Sequence, residues 1–346
     1  MTKTIVTVTG GTGYIASWVV NDLLLQGHDV RITVRDKTNT EKYQHLINIS
    51  ENSQGTLTVY QADLLTKGSF DEAIAGADYV MHTASPFFLD DNGDTQTKLI
   101  DPAVNGTKNV LDSVNKTISV QRVVLTSSLA AIYGDNLDML SKNLQSLDES
   151  IWNETSSLTH NAYSFSKTLA EKTAWDMMKK QKQWDLVTIH PGFVLGPSLT
   201  KRVDSTSINT LLRILKGDIK SGAPDLEFIF SDVRDISKGH LAAAFEPEAN
   251  GRYIISNESG NLLTVGGIIE KEYPGTYKVP KNKIPKCLVW ILAPAVGFTR
   301  KYVTNNIGFP IKADNTRSIK DLDMKYNTLG MTVLDHVTQL KSDNLI

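Results

Sequence analysis

Six short runs of β-branched and aliphatic residues constrain this chain more than any other feature. They are "TIVTVT" (Thr4 to Thr9), "DVRITV" (Asp29 to Val34), "LTVYQ" from Leu57, "DYVMH" from Asp78, "RVVLT" from Arg122 and "DLVTIH" from Asp185. Between them apolar residues recur at helical spacing, near Tyr14 to Gln26 (closed by Gly27), Thr40 to Ile49, Ser69 to Ala75, Thr97 to Asn115 and Asn161 to Lys180. Parallel neighbours need a crossover, so strands alternating with helices imply a parallel sheet covered on both faces. The expected fold class is therefore α/β, a doubly wound parallel sheet whose ligands bind beyond the carboxyl ends of its strands. After about His190 the rhythm loosens into short helices, proline-rich joints and an isolated strand, "RYIIS" (Arg252 to Ser256). We expect residues 1–190 to form the ligand-binding sheet domain. Residues 191–346 are expected to form mainly a smaller substrate-binding region, with some segments returning to the core.

The first strand runs into "TVTGGTGYIA", in which Gly10, Gly13 and Ala16 stand three apart and a helix follows at once. Such a turn serves either as a plain strand-to-helix corner or as a cradle for a pyrophosphate at the helix N-terminus. Gly10 permits the sharp turn, Gly13 allows backbone to approach phosphate, and Ala16 is small enough for close helix–strand packing. The second strand ends "TVRDKTNTEK". Its first residue beyond the strand is Arg35, whose guanidinium suits a ribose 2′-phosphate, and Lys42 adds a second positive charge. Asp36 next door keeps a 2′-hydroxyl, and hence NAD, in play. The expected arrangement is a Rossmann domain that takes NADP.

The chemistry is expected in "NAYSFSKTLAEKTAW". Tyr163 and Lys167 are four apart and share one helix face. A free phenol titrates near ~10, and a neighbouring ammonium is expected to lower that value enough for proton exchange with a substrate oxygen. "VVLTSS" places Ser127 and Ser128 at the end of the fifth strand, where a hydroxyl either orients a substrate carbonyl or caps the next segment.

Composition narrows the alternatives. A formal net charge of -2 over 346 residues lacks the basic surface that nonspecific nucleic-acid binding requires. With Cys287 as the one cysteine, there is no intrachain disulfide and no cysteine-based metal site, which fits a reducing cytoplasm. No secretory leader is read at the N-terminus. "CLVWILAPAVGF" (Cys287 to Phe298) is too short and interrupted to span a bilayer and is expected to be a buried helix, so no membrane partner is expected.

Taken together, these motifs resemble the extended short-chain dehydrogenase/reductases, and among them the dihydroflavonol reductase-like carbonyl reductases. That set includes cinnamoyl-CoA reductases and fungal methylglyoxal and aldehyde reductases. The resemblance runs through "TGGTGYIAS", "ADLLTKGSFDEAIAGADYVMHTASP", "VNGTKNVL", "VVLTSS", "YSFSKTLAEKTAW", "HPGFVLGP" and a late "ADNTRSIKDL". It implies that Ser128 orients the carbonyl, Tyr163 donates the proton, and Lys167 holds the nicotinamide ribose and tunes the tyrosine. It also implies cofactor contacts at Gly10, Gly13, Tyr14, Ile15, Arg35, Lys42, Asp63, Leu64, Thr83, Ala84, Ser85, Pro191, Val194 and Ser207. Asn105 falls on a helix behind the active site, in a structural rather than catalytic place.

Flavonoid reductases carry an asparagine five residues after the catalytic serine. This chain has Tyr133 there, and it lacks a clean cinnamoyl-CoA signature. The expected activity is NADPH-dependent reduction of a small aldehyde or ketone, with Phe87, Phe88 and Tyr133 as candidate pocket walls, by a monomer or homodimer. The competing readings are an NAD-dependent nucleotide-sugar epimerase or dehydratase, a 3β-hydroxysteroid dehydrogenase and a noncatalytic NADP sensor.

Overall fold

The computed structural model describes residues 3–85 and 94–346, so Phe87 and Phe88 lie outside the described residues. The six expected strands form as β1 (Ile5–Thr9), β2 (Asp29–Val34), β3 (Thr56–Gln61), β4 (Tyr79–His82), β5 (Arg122–Thr126) and β6 (Asp185–Pro191). Beyond them come β7 (Phe193–Leu195), β8 (Ala223–Pro224), β9 (Phe228–Asp232), β10 (Gly251–Ile255), β11 (Ser259–Gly260) and β12 (Lys283–Ile284). The first helices are α1 (Tyr14–Leu25), α2 (Gln44–Glu51), α3 (Asp71–Ile74), α4 (Asp101–Asn115), α5 (Leu137–Ser141) and α6 (Ala162–Met178). They are followed by α7 (Thr206–Lys216), α8 (Val233–Phe245), α9 (Leu262–Glu272), α10 (Lys286–Leu292), α11 (Arg300–Asn306), α12 (Thr316–Asp321) and α13 (Leu329–Ser342).

Seven strands make the central sheet, in the order β10-β6-β5-β4-β1-β2-β3, and every neighbouring pair is parallel. The chain steps outward from β1 to β3 on one side and from β4 to β10 on the other. The switch between β1 and β4 opens a crevice at the strands' carboxyl ends, which is where such sheets bind ligands. Helices α1 and α8 close one face over Val6, Val8, Ile32 and Val187. Helices α4 and α6 close the other over Val80, Val123 and Leu125. A third core gathers α7, α9 and α13 on Phe230 of β9. No helix among the described residues is long and apolar enough to cross a membrane.

Two expectations need correcting. The stretch Arg252–Ser256, read as an isolated strand, supplies β10, which pairs with β6 from Gly251↔Val187 to Ile255↔Pro191. Tyr253, Ile254 and Ile255 are wholly buried, as a strand covered on both faces requires. The stretch Cys287–Phe298 is not buried. Leu288, Trp290, Ile291, Leu292, Val296 and Phe298 are all exposed, while Val289 and Ala293 turn inward against Val303 and Ile307 of α11. An apolar pattern on every side of a short helix cannot say which side meets the core, and α11 covers only one.

Glu171 locks together the three strands at one side of the sheet, β5, β6 and β10. This wholly buried α6 carboxylate accepts hydrogen bonds from Ser127 Oγ after β5 (2.5 Å), His190 Nε2 in β6 (2.8 Å) and Arg252 Nε in β10 (2.8 Å). Burial alone would raise its pKa, but His190, Arg252 and the Ser127 hydrogen bond outweigh it and hold the carboxyl down to about 2. Since this folded value lies below the usual carboxylate range, the stabilisation is present above pH ~4.5 and is lost as pH falls through about 2. Glu171→Gln should cost about 3–5 kcal/mol at neutral pH by leaving Arg252 buried without its counter-charge. In urea titrations the gap between variant and wild type should narrow as the pH is lowered from ~4.5 toward 2. A gap independent of pH would contradict the ionised assignment.

Candidate functional site

The crevice at the switch point is a cavity of about 1450 Å³, larger than the pocket of a typical drug-sized ligand. A shallower depression of about 830 Å³ beside Trp152 and Lys172 is lined by none of the expected site residues. The larger cavity begins at the glycine turn, where Gly10, Gly13, Tyr14 and Ile15 line it. Gly10 has φ +66°, and a Cβ there would sit 3.1 Å from Ala84, so a side chain at this point would be both strained and crowded. Gly13 is the N-cap of α1 and offers no side-chain oxygen, and the first turn holds no acidic residue. The free N–H groups and the positive end of the helix dipole are therefore left for an anion. A glycine cradle at the N-terminus of a twelve-residue helix fits a dinucleotide pyrophosphate.

Basic side chains line one end of the cavity. Arg35 follows β2, Lys42 lies in the next turn, and both line the wall. Asp36, the residue that would favour a 2′-hydroxyl, is not among the lining residues. Its Oδ1 instead accepts hydrogen bonds from the Thr38 backbone N–H (2.9 Å) and hydroxyl (2.6 Å). Asp63, Leu64, Thr83, Ala84 and Ser85 continue the wall along the ends of β3 and β4. Sequence reasoning missed Arg202. It crosses the glycine turn from beyond β7, donates to the Thr12 carbonyl (3.0 Å) and is paired with Asp204. Tyr14 pins the same strap by donating its hydroxyl to the Gly196 carbonyl. The Lys201–Arg202 dipeptide was a visible signal, but nothing local shows that the chain folds back over residues 190 positions earlier.

At the other end, Ser128 and Tyr163 line the same cavity. The two serines divide their roles by strand geometry: Ser127 points into the core toward Glu171, and Ser128 faces the cavity. Ser128 also caps the turn Leu129–Ala131, its Oγ accepting from the Ala130 N–H at 3.1 Å. Capping and cavity lining, alternatives in the sequence, are both realised. Lys167 lies one turn along α6 from Tyr163 and does not itself line the cavity. Its Nζ donates to Ser85 Oγ at 2.9 Å and stands 5.8 Å from the centre of the Tyr163 ring.

The electrostatics correct one expectation. Tyr163 is not brought toward neutrality by Lys167; burial pushes its hydroxyl up to about 12. The ring remains 39% exposed, because it faces the open cavity while protein encloses its remaining sides. Burial likewise brings the Lys167 ammonium down to about 8. At nearly 6 Å from the ring, a lysine that itself holds its proton weakly does not offset the tyrosine's desolvation.

The N-terminus of α6 is set by a buried carboxylate. Asp135 receives His160 Nε2 (2.7 Å), Asn161 Nδ2 (2.9 Å), Asn305 Nδ2 (2.8 Å) and Asn306 Nδ2 (2.6 Å). Asn161, the α6 N-cap, adopts φ 52°, a left-handed conformation that asparagine tolerates, and its side chain also reaches the Gly134 carbonyl. This clasp joins the tyrosine's helix to α11. Beyond it, Tyr133, Tyr302, Asn306, Leu226, Glu227 and Phe228 wall the cavity. Only Tyr133 of these was expected. Val194 and Ser207 line the cavity as well. Pro191 is the buried end of β6 and leaves that place to Gly192 and Phe193, while Asn105 is exposed on α4 and away from the lining.

Residues 6–257 match the model of the NAD dependent epimerase/dehydratase family. The chain is 34% identical over 339 residues to the cinnamoyl-CoA reductase CAD2 of Medicago truncatula, covering 97% of this chain and 95% of that protein. It is 38% identical over 280 residues to tetraketide alpha-pyrone reductase 1 of Arabidopsis thaliana, covering 80% and 83%. Among solved structures it resembles the yeast methylglyoxal/isovaleraldehyde reductase Gre2 complexed with NADPH. The TM-score is 0.78 at 30% identity, with 99% and 100% of the two chains covered.

The depressed lysine gives a direct check. With lysines reductively methylated using a carbon-13 label, one resonance should titrate near pH 8 and vanish in Lys167→Arg. A spectrum in which every lysine titrates above pH 10 would contradict the desolvated site.

Proposed function

The chain belongs to the NAD dependent epimerase/dehydratase family, and we propose that within it this protein is an NADPH-dependent carbonyl reductase that converts a small aldehyde or ketone to an alcohol. One observation carries the reading: Ser128 and Tyr163 share a single cavity with the glycine cradle and Arg35. In this reading residues 1–190 chiefly hold the cofactor and residues 191–346 chiefly shape the substrate end, with β10 and the strap through Arg202 returning to the first part.

Bound NADPH supplies a hydride to the carbonyl carbon. Gly10, Gly13 and the α1 N-terminus would hold the pyrophosphate, and Arg35 with Lys42 would pair the 2′-phosphate. Ser128 Oγ already accepts the Ala130 N–H, so its own proton is available to the carbonyl oxygen and polarises it. Tyr163, with a hydroxyl titrating at about 12, is fully protonated at neutral pH and donates its proton to the alkoxide as it forms. Lys167 then stabilises the negative charge left on the tyrosine, while its hydrogen bond to Ser85 fixes it against the cofactor wall.

A small substrate is supported by Tyr133, which stands where the flavonoid reductases carry an asparagine and which lines the cavity together with Tyr302 and Phe228. The relative active on methylglyoxal and isovaleraldehyde supports this size class. An epimerase reading requires tightly held NAD, and Asp36, spent on its own turn, gives the NAD ribose no partner in the cavity.

Tyr163→Phe should lower kcat by about 10²–10⁴-fold while leaving NADPH binding intact by fluorescence titration. Unchanged turnover would refute the proton-donor role. Arg35→Ala should weaken NADPH roughly 10–100-fold and NADH little, as expected for one charge-assisted contact to the 2′-phosphate; equal losses would refute it. Because Lys167 loses its proton around pH 8, kcat for reduction should be flat below that value and fall above it. A rate that climbs through pH 8–9 would contradict the lysine's role.

A further inference from the structure

Six of the fifteen large apolar side chains exposed among the described residues fall within eleven positions: Leu288, Trp290, Ile291, Leu292, Val296 and Phe298. They cover the outer side of α10 and the turn after it; Ile291 is 61% exposed and Val296 62%. A contiguous apolar surface of this kind marks an interaction site rather than ordinary surface scatter. The charge along this segment is equally one-sided. The chain as a whole has slightly more acidic than basic residues, yet from Tyr273 to Ala313 it holds seven lysines and arginines and no aspartate or glutamate.

The cations frame the apolar patch. Lys286 begins α10, where its Nζ bonds the Thr304 and Ile307 carbonyls and lies 4.6 Å from the Phe309 ring centre. Arg300 stands over the Trp290 ring at 4.4 Å, and exposed Lys301 follows it. Lys281 and Lys283 flank the approach. Their partners Glu270 and Asp225 lie outside the segment, and both lysine side chains remain about 60% exposed.

We propose that this basic, apolar-tipped hairpin is a peripheral docking surface for an anionic lipid bilayer. Aliphatic side chains and a tryptophan beneath a rim of lysine and arginine match an interface with hydrocarbon below and phosphate-bearing headgroups at the edge. A second copy of the chain fits less well, because a two-fold contact would set one cationic rim against its twin. The docking unit is also part of the cavity wall. Phe298 stacks on Tyr302 (ring centres 5.2 Å apart), and Tyr302 and Asn306 of α11 line the cavity. Docking through α10 therefore sets the substrate end of the cavity beside the bilayer.

The test is vesicle flotation of the full chain, with solution NADPH oxidation measured in parallel. Vesicles of phosphatidylcholine containing about a third phosphatidylserine should carry the protein at least about tenfold better than phosphatidylcholine alone, and binding should weaken with added salt. The double variant Ile291→Asp/Leu292→Asp should abolish flotation while thermal unfolding and activity stay unchanged, since both side chains are exposed. Arg300→Glu/Lys301→Glu should remove the preference for anionic lipid. Failure to float on either vesicle, or equal flotation on both, overturns the proposal. So does a concentration-dependent dimer that the aspartate variant dissociates in the absence of vesicles, because the surface then belongs to a second copy. None of these outcomes depends on the reductase reading, which the parallel oxidation assay tests separately.

Discussion

The ionised, wholly buried Glu171 is the interaction on which the arrangement of the site depends. It sits two turns beyond Tyr163 on α6 and gathers Ser127, His190 and Arg252 from three neighbouring strands. A buried carboxylate is tolerated only when its lone pairs and charge are answered, so each of these partners is held in place by the others. The consequence reaches the chemistry through one residue of chain. Fixing Ser127 inward turns Ser128 outward, and fixing α6 holds Tyr163 on the wall of the same cavity. A second buried carboxylate, Asp135, performs the same service at the helix's other end and ties it to α11.

Within that frame, burial matters more than proximity. Tyr163 and Lys167 stand on one helix face, but protein around each disfavours its charged form, raising the phenol and lowering the ammonium. In the proposed reaction a tyrosine that keeps its proton at neutral pH would be the donor to the alkoxide. At the far end of the cavity Arg35 and Lys42 are set out by the ends of secondary structure, and a strap brings Arg202, paired with Asp204, onto the glycine turn.

Much of this was legible in the sequence. A strand covered on both faces must be a nearly continuous apolar run, which is why β1, β2 and β4 to β6 stand out and why their order along the chain implies a doubly wound sheet. The glycine turn and the Tyr163–Lys167 spacing are local patterns with local causes. What escaped reading is what tertiary closure creates. Arg252 gives no hint that it will meet Glu171, and Arg202 none that it will lie on Thr12. The Asp135 clasp joins residues near 160 and 305 that share no pattern. The outward face of α10 was misread because hydrophobicity implies a partner but does not require it to be part of the same chain.

The central claim is net hydride transfer to an external carbonyl, and isotope transfer tests it most directly. NADPH deuterated at the transferable C4 position would be incubated with the protein and a small aldehyde, and the products analysed by mass spectrometry. One deuterium is expected on the carbinol carbon of the alcohol, with one NADP formed for each alcohol released. Deuterium that stays in the cofactor pool, with no alcohol and no net NADP, would contradict the claim and point instead to the hydride-returning chemistry of an epimerase or dehydratase.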